Sequence, residues 1–156
     1  MSLDELLREC QLKGYQGSGP GGQHRNKTNT GVNLRLSTYN LEIKSCESRS
    51  AAENKVHALH RMRMAIALEV RETPKPVSEL KFPGSNGRIQ SSNLGFAPFI
   101  ADVLDIVAMS NGDTKPAAVA FGLSPTALTR ILHQEKSVIE KVQSLRKVGG
   151  KCPLHR

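Results

Sequence analysis

Aromatic side chains are scarce in this sequence, which has no Trp, two Tyr and four Phe among 156 residues. Proteins that bind single-stranded nucleic acid by stacking present a platform of such rings to the bases. The shortage makes base stacking an unsuitable explanation for any nucleic-acid binding. We therefore expect such contacts to be made through phosphate groups.

Cysteines are also few, at Cys10, Cys46 and Cys152. An odd number of distant cysteines without a CxxC spacing supports neither a metal knuckle nor a disulfide framework, and it fits a reducing compartment. His57 and His60 share a helix face at a spacing that could ligate a metal, but no third ligand is evident. We predict no metal and no cofactor.

Long apolar runs are missing, since the sequence contains no run of 18 apolar residues. Its first residues, MSLDELLRE, are acidic and lack the apolar centre of a secretory signal. We expect neither a membrane span nor a membrane partner, and we predict a cytoplasmic location. A mitochondrion or plastid stays an alternative, because a transit peptide could already have been removed.

Acidic residues are in the minority, with 14 Asp and Glu against 22 Lys and Arg and a formal net charge of +8. Such an excess favours a polyanionic partner, because neutralising phosphates releases counterions. Nucleic acid is therefore the first candidate partner. The alternative is a soluble basic protein that has no such partner.

Hydrophobic periodicity in the first half predicts a small α+β fold. A short helix is expected over residues 2–10, and the glycine-rich residues 17–22 must form a loop. Apolar residues alternate over residues 32–36 and 41–43, which predicts an antiparallel hairpin. No strand with clear periodicity precedes the loop. A long helix over residues 50–70, opened by a capping box, is expected to cover the hairpin.

The second half is predicted to be helical and separate from the first. Three prolines with Gly and Ser over residues 74–95 indicate a linker or long surface loop. The expected division is a first domain over residues 1–73, this linker, and a helical domain over residues 96–156.

A helix-turn-helix is expected within the helical domain. Ala118 supplies a small residue where two helices cross, and Gly122 can adopt a positive φ in the turn. Ser124 and Pro125 then provide an N-cap and a first-turn proline for the second helix. Such a motif is typical of nucleic-acid-binding modules.

The most informative segment is SGPGGQHRNKT, residues 18–28. Gly21 and Gly22 allow the backbone to approach a ligand closely, and the amide of Gln23 offers donors and an acceptor. Arg25 and Lys27 add positive charge, and no acidic residue lies between residues 9 and 42. The segment lacks the GxxxxGK[ST] spacing of a nucleotide-binding loop, so the alternative without chemistry is a plain flexible loop.

This segment resembles the catalytic domain of class I peptide chain release factors and of their codon-independent ribosome-rescue relatives, whose hallmark is GGQ within SGPGGQ-x-x-N-K/T-T. The resemblance continues through GVNLRL, IKSCESRS and the Asn54-Lys55 pair, and it covers approximately residues 18–66. Two positions depart from the pattern. Arg25 stands where the family usually has an apolar residue, and Gln16 stands where it usually has an arginine.

The resemblance implies that Gly21, Gly22 and Gln23 enter the peptidyl transferase centre of the ribosome and hydrolyse the ester bond of peptidyl-tRNA. The backbone N–H of Gln23 would stabilise the departing ribose hydroxyl, and its side chain would orient water. This is electrostatic stabilisation by positioned donors, which requires no metal. Gln23 is also implied as the target of a glutamine methyltransferase.

Contacts with ribosomal RNA are expected from basic side chains in both halves of the chain. The candidates are His24, Arg25, Lys27, Arg61, Arg63, Arg130, Lys136, Lys141, Arg146 and Lys147. The expected function is codon-independent release of peptide from stalled ribosomes. The alternative is a nucleic-acid-binding or ribosome-binding protein with a helix-turn-helix and no hydrolase activity.

Overall fold

A computed structural model describes residues 3–16 and 30–155 of the protein. The chain divides into two compact units, Met1–Ile66 and Ala67–Arg156. The first unit contains a small sheet and helices, and the second contains helices among its described residues. The predicted mixed α+β class, with a helical part after the sheet, is therefore confirmed.

The sheet of the first unit has three antiparallel strands in the order β1-β2-β3, namely β1 Gln11–Tyr15, β2 Gly31–Leu36 and β3 Leu41–Ser45. In β2, every second residue is buried, as the alternating sequence predicts. One turn of 3-10 helix and Asn40, which takes φ +51°, connect β2 to β3. The predicted hairpin of β2 and β3 is confirmed.

Strand β1 was not predicted from the sequence. Its residues are exposed or only half-buried, so no alternation marks it. Leu12 lies beside Leu34 in the register, yet it is 44% exposed, and β1 is one of the two edge strands of the sheet. Backbone pairing with β2 defines this strand, and side-chain burial contributes little. The sequence signal for such an edge strand is weak for that reason.

Two helices provide the apolar partners of the sheet. They are α1 Leu3–Glu9 and α2 Ala51–Glu69, close to the predicted spans, and the last residues of α2 belong to the second unit. Side chains of α1, β2 and α2, with Cys10 directly after α1, form one buried cluster, which consists of Leu6, Cys10, Val32, Leu34, Leu36, Ala58, Leu59 and Met62. Burial of this cluster holds the strands in place, because apolar area removed from water is the main favourable term in folding.

The start of α2 differs in detail from the predicted capping box. The Ser50 hydroxyl accepts from the Glu53 backbone N–H at 3.3 Å, as expected. The carboxylate of Glu53, however, is bonded to the hydroxyl of Ser48, and that hydroxyl also accepts from the Ser50 N–H at 3.0 Å. Ser48 therefore takes the bond that the capping box assigns to Glu53.

The second unit is built from α3 Phe96–Met109, α4 Lys115–Ala120, α5 Pro125–Leu132 and α6 Lys136–Val148. Helices α4 and α5 form the predicted helix-turn-helix. Gly122 has φ +62° in the turn, and the Ser124 hydroxyl caps α5 by accepting from Ala127 N–H at 3.1 Å. No helix in the described part of the chain is both long and apolar enough to cross a membrane.

Residues 74–95, predicted to be a linker, pack on the helices of their own unit. The ring of Phe82 lies edge-on to Phe99, with centroids 5.4 Å apart. The side-chain amide of Gln134 donates to Ile89 O at 2.8 Å. The division between the two units falls inside α2, at Ile66 and Ala67. A separate domain over residues 1–73 stays a prediction.

Candidate functional site

The residues predicted to carry the chemistry lie outside the described part of the chain. They are Gly21, Gly22 and Gln23, together with the RNA-binding candidates His24, Arg25 and Lys27. Their roles stay predictions. The structure does describe the residues on either side, Gln16 and Thr30, and these define where the segment of residues 17–29 begins and ends.

Both boundaries of the segment lie at one end of the same strand pair. Tyr15, the last residue of β1, pairs with Gly31, the first residue of β2. A Cβ on Gly31 would come within 2.7 Å of the Tyr15 carbonyl oxygen and 2.8 Å of the Tyr15 ring. Only glycine fits there without a shift of the backbone. The segment is therefore bounded by two closely packed strand ends.

Asn54 on α2 fixes the residue that precedes β2. Its side chain is fully buried, at 0% exposure. The amide nitrogen donates to Thr30 O and to Ser48 O, each at 2.8 Å, and the amide oxygen accepts from Ser48 N–H at 2.9 Å. A buried amide is stable only when its donors and acceptor are matched, and this one has all three bonds. Asn54 thus connects Thr30, the start of α2 and the turn before it.

The side chain of Tyr15 also bonds to a residue beyond the neighbouring strand β2. A hydrogen bond between its side chain and that of Cys46, followed in importance by burial, raises the pKa of the Tyr15 phenol above its ordinary value. Cys46 directly follows β3, on the far side of β2. The Tyr15 side chain therefore spans the position of Gly31, where the missing side chain leaves room. Sequence reasoning did not identify Tyr15, Thr30 or Gly31 as part of the site.

The two predicted RNA contacts on α2 point in different directions. Arg61 and Arg63 are two positions apart, which separates them by about 200° around a helix. The guanidinium of Arg61 forms an ion pair with Glu47 and donates to Lys44 O at 3.4 Å. Arg63 is half-buried. These arginines do not form one basic cluster.

The basic candidates of the second unit also differ in how available they are. Lys136 is 88% exposed and lies 3.6 Å from Glu140, and Lys147 is exposed. Lys141 pairs with Glu69 at 3.1 Å. Arg146 donates to Gly112 O at 3.0 Å and to Cys152 O at 2.9 Å. Lys136 and Lys147 are thus the better placed of these four to meet a polyanion.

Arg130, the remaining candidate, is exposed on α5, and its guanidinium donates to Gly87 O at 2.9 Å. A cavity of about 400 Å³ is lined by Arg130 with Pro125, Thr126, Thr129 and His155. One nitrogen of Arg130 is already engaged, so its part in binding a partner stays a prediction.

The two histidines of α2 at metal-ligating spacing, His57 and His60, differ in their surroundings. The His57 ring lies 3.7 Å from the Glu47 carboxylate. The two groups form an ion pair only when the imidazole is protonated. His60 is half-buried. Among residues 3–16 and 30–155, no group of three or more His, Cys, Asp or Glu side chains could hold a metal ion.

Comparison with known proteins supplies a family. The family model described as RF-1 domain matches residues 5–93 of the chain. Peptide chain release factor 2 of Neorickettsia sennetsu (strain ATCC VR-367 / Miyayama) is 30% identical to the chain over 73 residues. The match covers 46% of this chain but only 20% of that protein. No solved structure gives a significant match.

Proposed function

Because this chain belongs to the RF-1 domain family, we propose that it hydrolyses the ester bond of peptidyl-tRNA on stalled ribosomes without reading a codon. Gly21, Gly22 and Gln23 would carry the reaction. The family and the similar release factor point to a release-factor-like function. We propose in addition that release does not depend on a codon and that it acts on stalled ribosomes.

The observation that carries the proposal is the location of the GGQ sequence between two paired strand ends. Residues 17–29 begin and end at the close contact of Tyr15 with Gly31, and Asn54 holds the carbonyl of Thr30. A loop that must place a donor against a reacting ester benefits from fixed ends, because misplacement of about 1 Å can reduce a rate roughly 100-fold. The packed sheet and α2 supply that fixed base.

The proposed reaction is ordinary ester hydrolysis. The oxygen of a water molecule bonds to the ester carbonyl carbon, the bond from that carbon to the ribose oxygen breaks, and a proton from the water reaches the ribose oxygen. The backbone N–H of Gln23 stabilises the charge that develops on this leaving oxygen, and the Gln23 side chain orients the water. Positioned donors of this kind lower a barrier without a metal or a cofactor.

The ribosome is the proposed partner, through the RNA of its large subunit and the peptidyl transferase centre. The net charge of +8 supports this partner, since ribosomal RNA is a polyanion. In the second unit, the exposed Lys136 and Lys147 are the proposed contacts with RNA. The helical unit would then provide ribosome binding that does not depend on a codon.

The test is release of labelled peptide from ribosomes stalled on a message that lacks a stop codon. Wild-type protein is expected to release peptide, and the rate should not increase when a stop codon is placed in the decoding site. Gly22→Ala should reduce release by roughly 100-fold or more, because it displaces the Gln23 N–H, and loss of a stabilising donor has an effect of this size in other enzymes. Gln23→Ala keeps that N–H and removes only the side chain that orients water, so it should reduce release by a smaller factor. Gly14→Ala is the matched glycine control, because its Cβ would meet nothing closer than 3.9 Å.

Two results would contradict the proposal. Release at the wild-type rate by Gly22→Ala and Gln23→Ala would exclude the GGQ sequence as the hydrolytic group. Release that requires a stop codon would exclude the codon-independent function and leave ordinary termination. The proposed methylation of Gln23 by a glutamine methyltransferase is checked separately, by mass spectrometry of protein isolated from its native cells.

The helix-turn-helix supports a second candidate function, in which the chain binds nucleic acid without hydrolysis. The glycine with positive φ in the turn and the N-cap at Ser124 are features that such motifs use. Few side chains of α5 are free to donate hydrogen bonds to base edges, because Thr129 is half-buried and Arg130 already donates to Gly87 O. Sequence-specific binding to duplex DNA, with no peptide release, would favour this function.

A further inference from the structure

The buried side chain of Asn54 forms a hydrogen bond that the start of α2 does not need. The helix is already capped by the Ser50 hydroxyl, which accepts from Glu53 N–H. The Asn54 side chain then adds one bond that reaches 24 positions back along the chain, from its Nδ2 to Thr30 O at 2.8 Å. The bonds to Ser48 close the turn before α2, whereas the bond to Thr30 reaches the residue that precedes β2.

We infer that Asn54 is a positioning residue, which sets where residues 17–29 rejoin the sheet and thereby places the hydrolytic sequence. The inference rests on the proposed function. Thr30 is the described residue that ends the segment, and the next residue, Gly31, is confined by the backbone and ring of Tyr15. With Gly31 confined on one side and the Thr30 carbonyl held on the other, this end of the segment has a defined position.

The geometry also says which substitutions break this connection. Asn54→Ala removes the donor to Thr30 O and leaves that partly buried carbonyl without its side-chain partner. Asn54→Asp keeps the shape but replaces the donating nitrogen with an oxygen, which repels the two carbonyls of Thr30 and Ser48. Both variants preserve the glycines and Gln23.

A purely structural role for Asn54 makes a different prediction from a positioning role. If Asn54 only stabilises the first unit, its loss acts through the fraction of folded protein. Leu59→Ala is the matched control for that effect. Leu59 lies on the same helix, is 5% exposed and belongs to the apolar cluster. Its aliphatic side chain cannot form a hydrogen bond with Thr30.

The experiment measures peptide release on stalled ribosomes at a temperature where all variants are folded by circular dichroism. Asn54→Ala and Asn54→Asp should lower kcat at least about tenfold, since small displacements of reacting groups have large effects on rate. KM for ribosomes should change less than about twofold, because the surfaces that bind RNA are intact. Leu59→Ala should leave kcat within about twofold of wild type. Both proteins are folded at the temperature of the assay, so a loss of stability alone does not change the rate per molecule.

A second measurement needs no activity. In NMR spectra of the free protein, Asn54→Ala should shift the amide signals of Thr30 and Gly31 and speed their exchange with solvent, whereas Leu59→Ala should leave the exchange rates of these two amides close to those of wild type. If Asn54→Ala fails to fold, the same exchange measurement on Asn54→Asp replaces it, because that variant keeps the shape of the side chain and removes the donor to Thr30 O.

The two proposals fail in different ways. A wild-type protein that releases no peptide overturns the proposed function, and the amide exchange then decides by itself whether Asn54 positions the end of the segment. If wild type is active, equal kcat losses in Asn54→Ala and Leu59→Ala overturn the positioning role. Unchanged exchange at Thr30 and Gly31 in the Asn54 variants overturns it as well.

Discussion

The ring of Tyr15 lies against Gly31 so closely that a Cβ on the glycine would come within 2.8 Å of it. The two residues are partners in the register of β1 and β2. Because the pair is closely packed, the Tyr15 side chain at the end of β1 restricts the backbone at Gly31, where β2 begins. The segment with the GGQ sequence is bounded by this pair, so a change here is expected to affect both stability and proposed activity.

Gly31→Ala is predicted to destabilise the first unit by about 1–3 kcal/mol, the usual range for forcing an extra group into a packed position. The Cβ would meet the Tyr15 carbonyl oxygen at 2.7 Å, and a backbone atom cannot move aside cheaply. The measurement is urea unfolding followed by circular dichroism.

Gly14→Ala is the control, because Gly14 lies in the neighbouring strand and its Cβ would be 3.9 Å from the nearest atom. Its stability should stay within about 0.5 kcal/mol of wild type, as for other surface substitutions. Equal losses in both variants would show that the Tyr15 contact is not what limits position 31.

Much of the fold could be predicted because burial and capping leave periodic signals. The alternation in β2 and the cap at Ser124 are local features of the sequence, and both are found in the structure. Strand β1 leaves no such signal, since an edge strand with little burial is defined by its backbone partner. The packing of residues 74–95 could not be predicted either. Their proline and glycine content indicates irregular backbone, but it does not indicate that a side chain such as Phe82 packs against a helix.

The site could be predicted only in part, for a similar reason. The GGQ sequence is readable by its resemblance to a family, and its role stays a prediction. Asn54 was noticed as part of that resemblance, but its bond to Thr30 joins residues far apart in the chain and depends on the packing of α2. The contact of Tyr15 with Gly31 likewise depends on the register of β1 and β2, which cannot be predicted from either strand's own sequence.

Gly122→Ala is predicted to cost about 1–2 kcal/mol in the stability of the second unit, since an L residue is strained in the left-handed region. Gly122 has φ +62°, and a Cβ there would contact nothing within 4 Å, so strain is the whole effect. Gly122→Asn should cost less, because Asn tolerates this conformation better than Ala. Urea unfolding of the two variants should rank them in this order, and the reverse order would contradict the turn geometry.

The pH dependence of stability should carry a contribution from Asp105. Burial raises the pKa of its carboxyl above the ordinary value of 3.8, and this outweighs the Glu72 N–H and the guanidinium of Arg71, which lower it. The folded state therefore binds the proton more tightly than the unfolded state. This contribution to the unfolding free energy is fully present below about pH 3.8 and is lost as the pH rises through the folded pKa.

Asp105→Asn isolates that contribution, because the amide does not titrate and its oxygen can still accept from Glu72 N–H. The difference in unfolding free energy, wild type minus Asp105→Asn, should decrease as the pH rises from about 3.8 through the folded pKa of Asp105. Urea titrations at several pH values measure it. A difference that is constant or that increases with pH would contradict the raised pKa.

The three cysteines should differ in their reactivity with an alkylating reagent. Cys10 is buried, and desolvation followed by the charge of Glu9 raises the pKa of its thiol, so little reactive thiolate is present. Cys152 is exposed and should be labelled first, with Cys10 last. Mass spectrometry of timed samples gives the order. Early labelling of Cys10 in folded protein would show that the apolar cluster opens readily.

The basic residues of α6 should separate into those that bind RNA and those that hold the fold together. Lys136→Ala and Lys147→Ala are predicted to weaken ribosome association and to reduce the slope of its salt dependence by about one unit for each phosphate that is no longer neutralised. Arg146→Ala should instead lower stability, because its guanidinium holds the carbonyls of Gly112 and Cys152.

Sedimentation with ribosomes at about 50 mM and 200 mM salt measures the first effect, since phosphate-driven complexes weaken sharply over this range. Urea unfolding measures the second. The exposed Lys136 and Lys147 can be replaced with little effect on folding, so an unchanged stability with weaker binding is expected of them. If both lysine variants bind as wild type does at both salt concentrations, α6 does not face RNA and the proposed contacts of the helical unit are wrong.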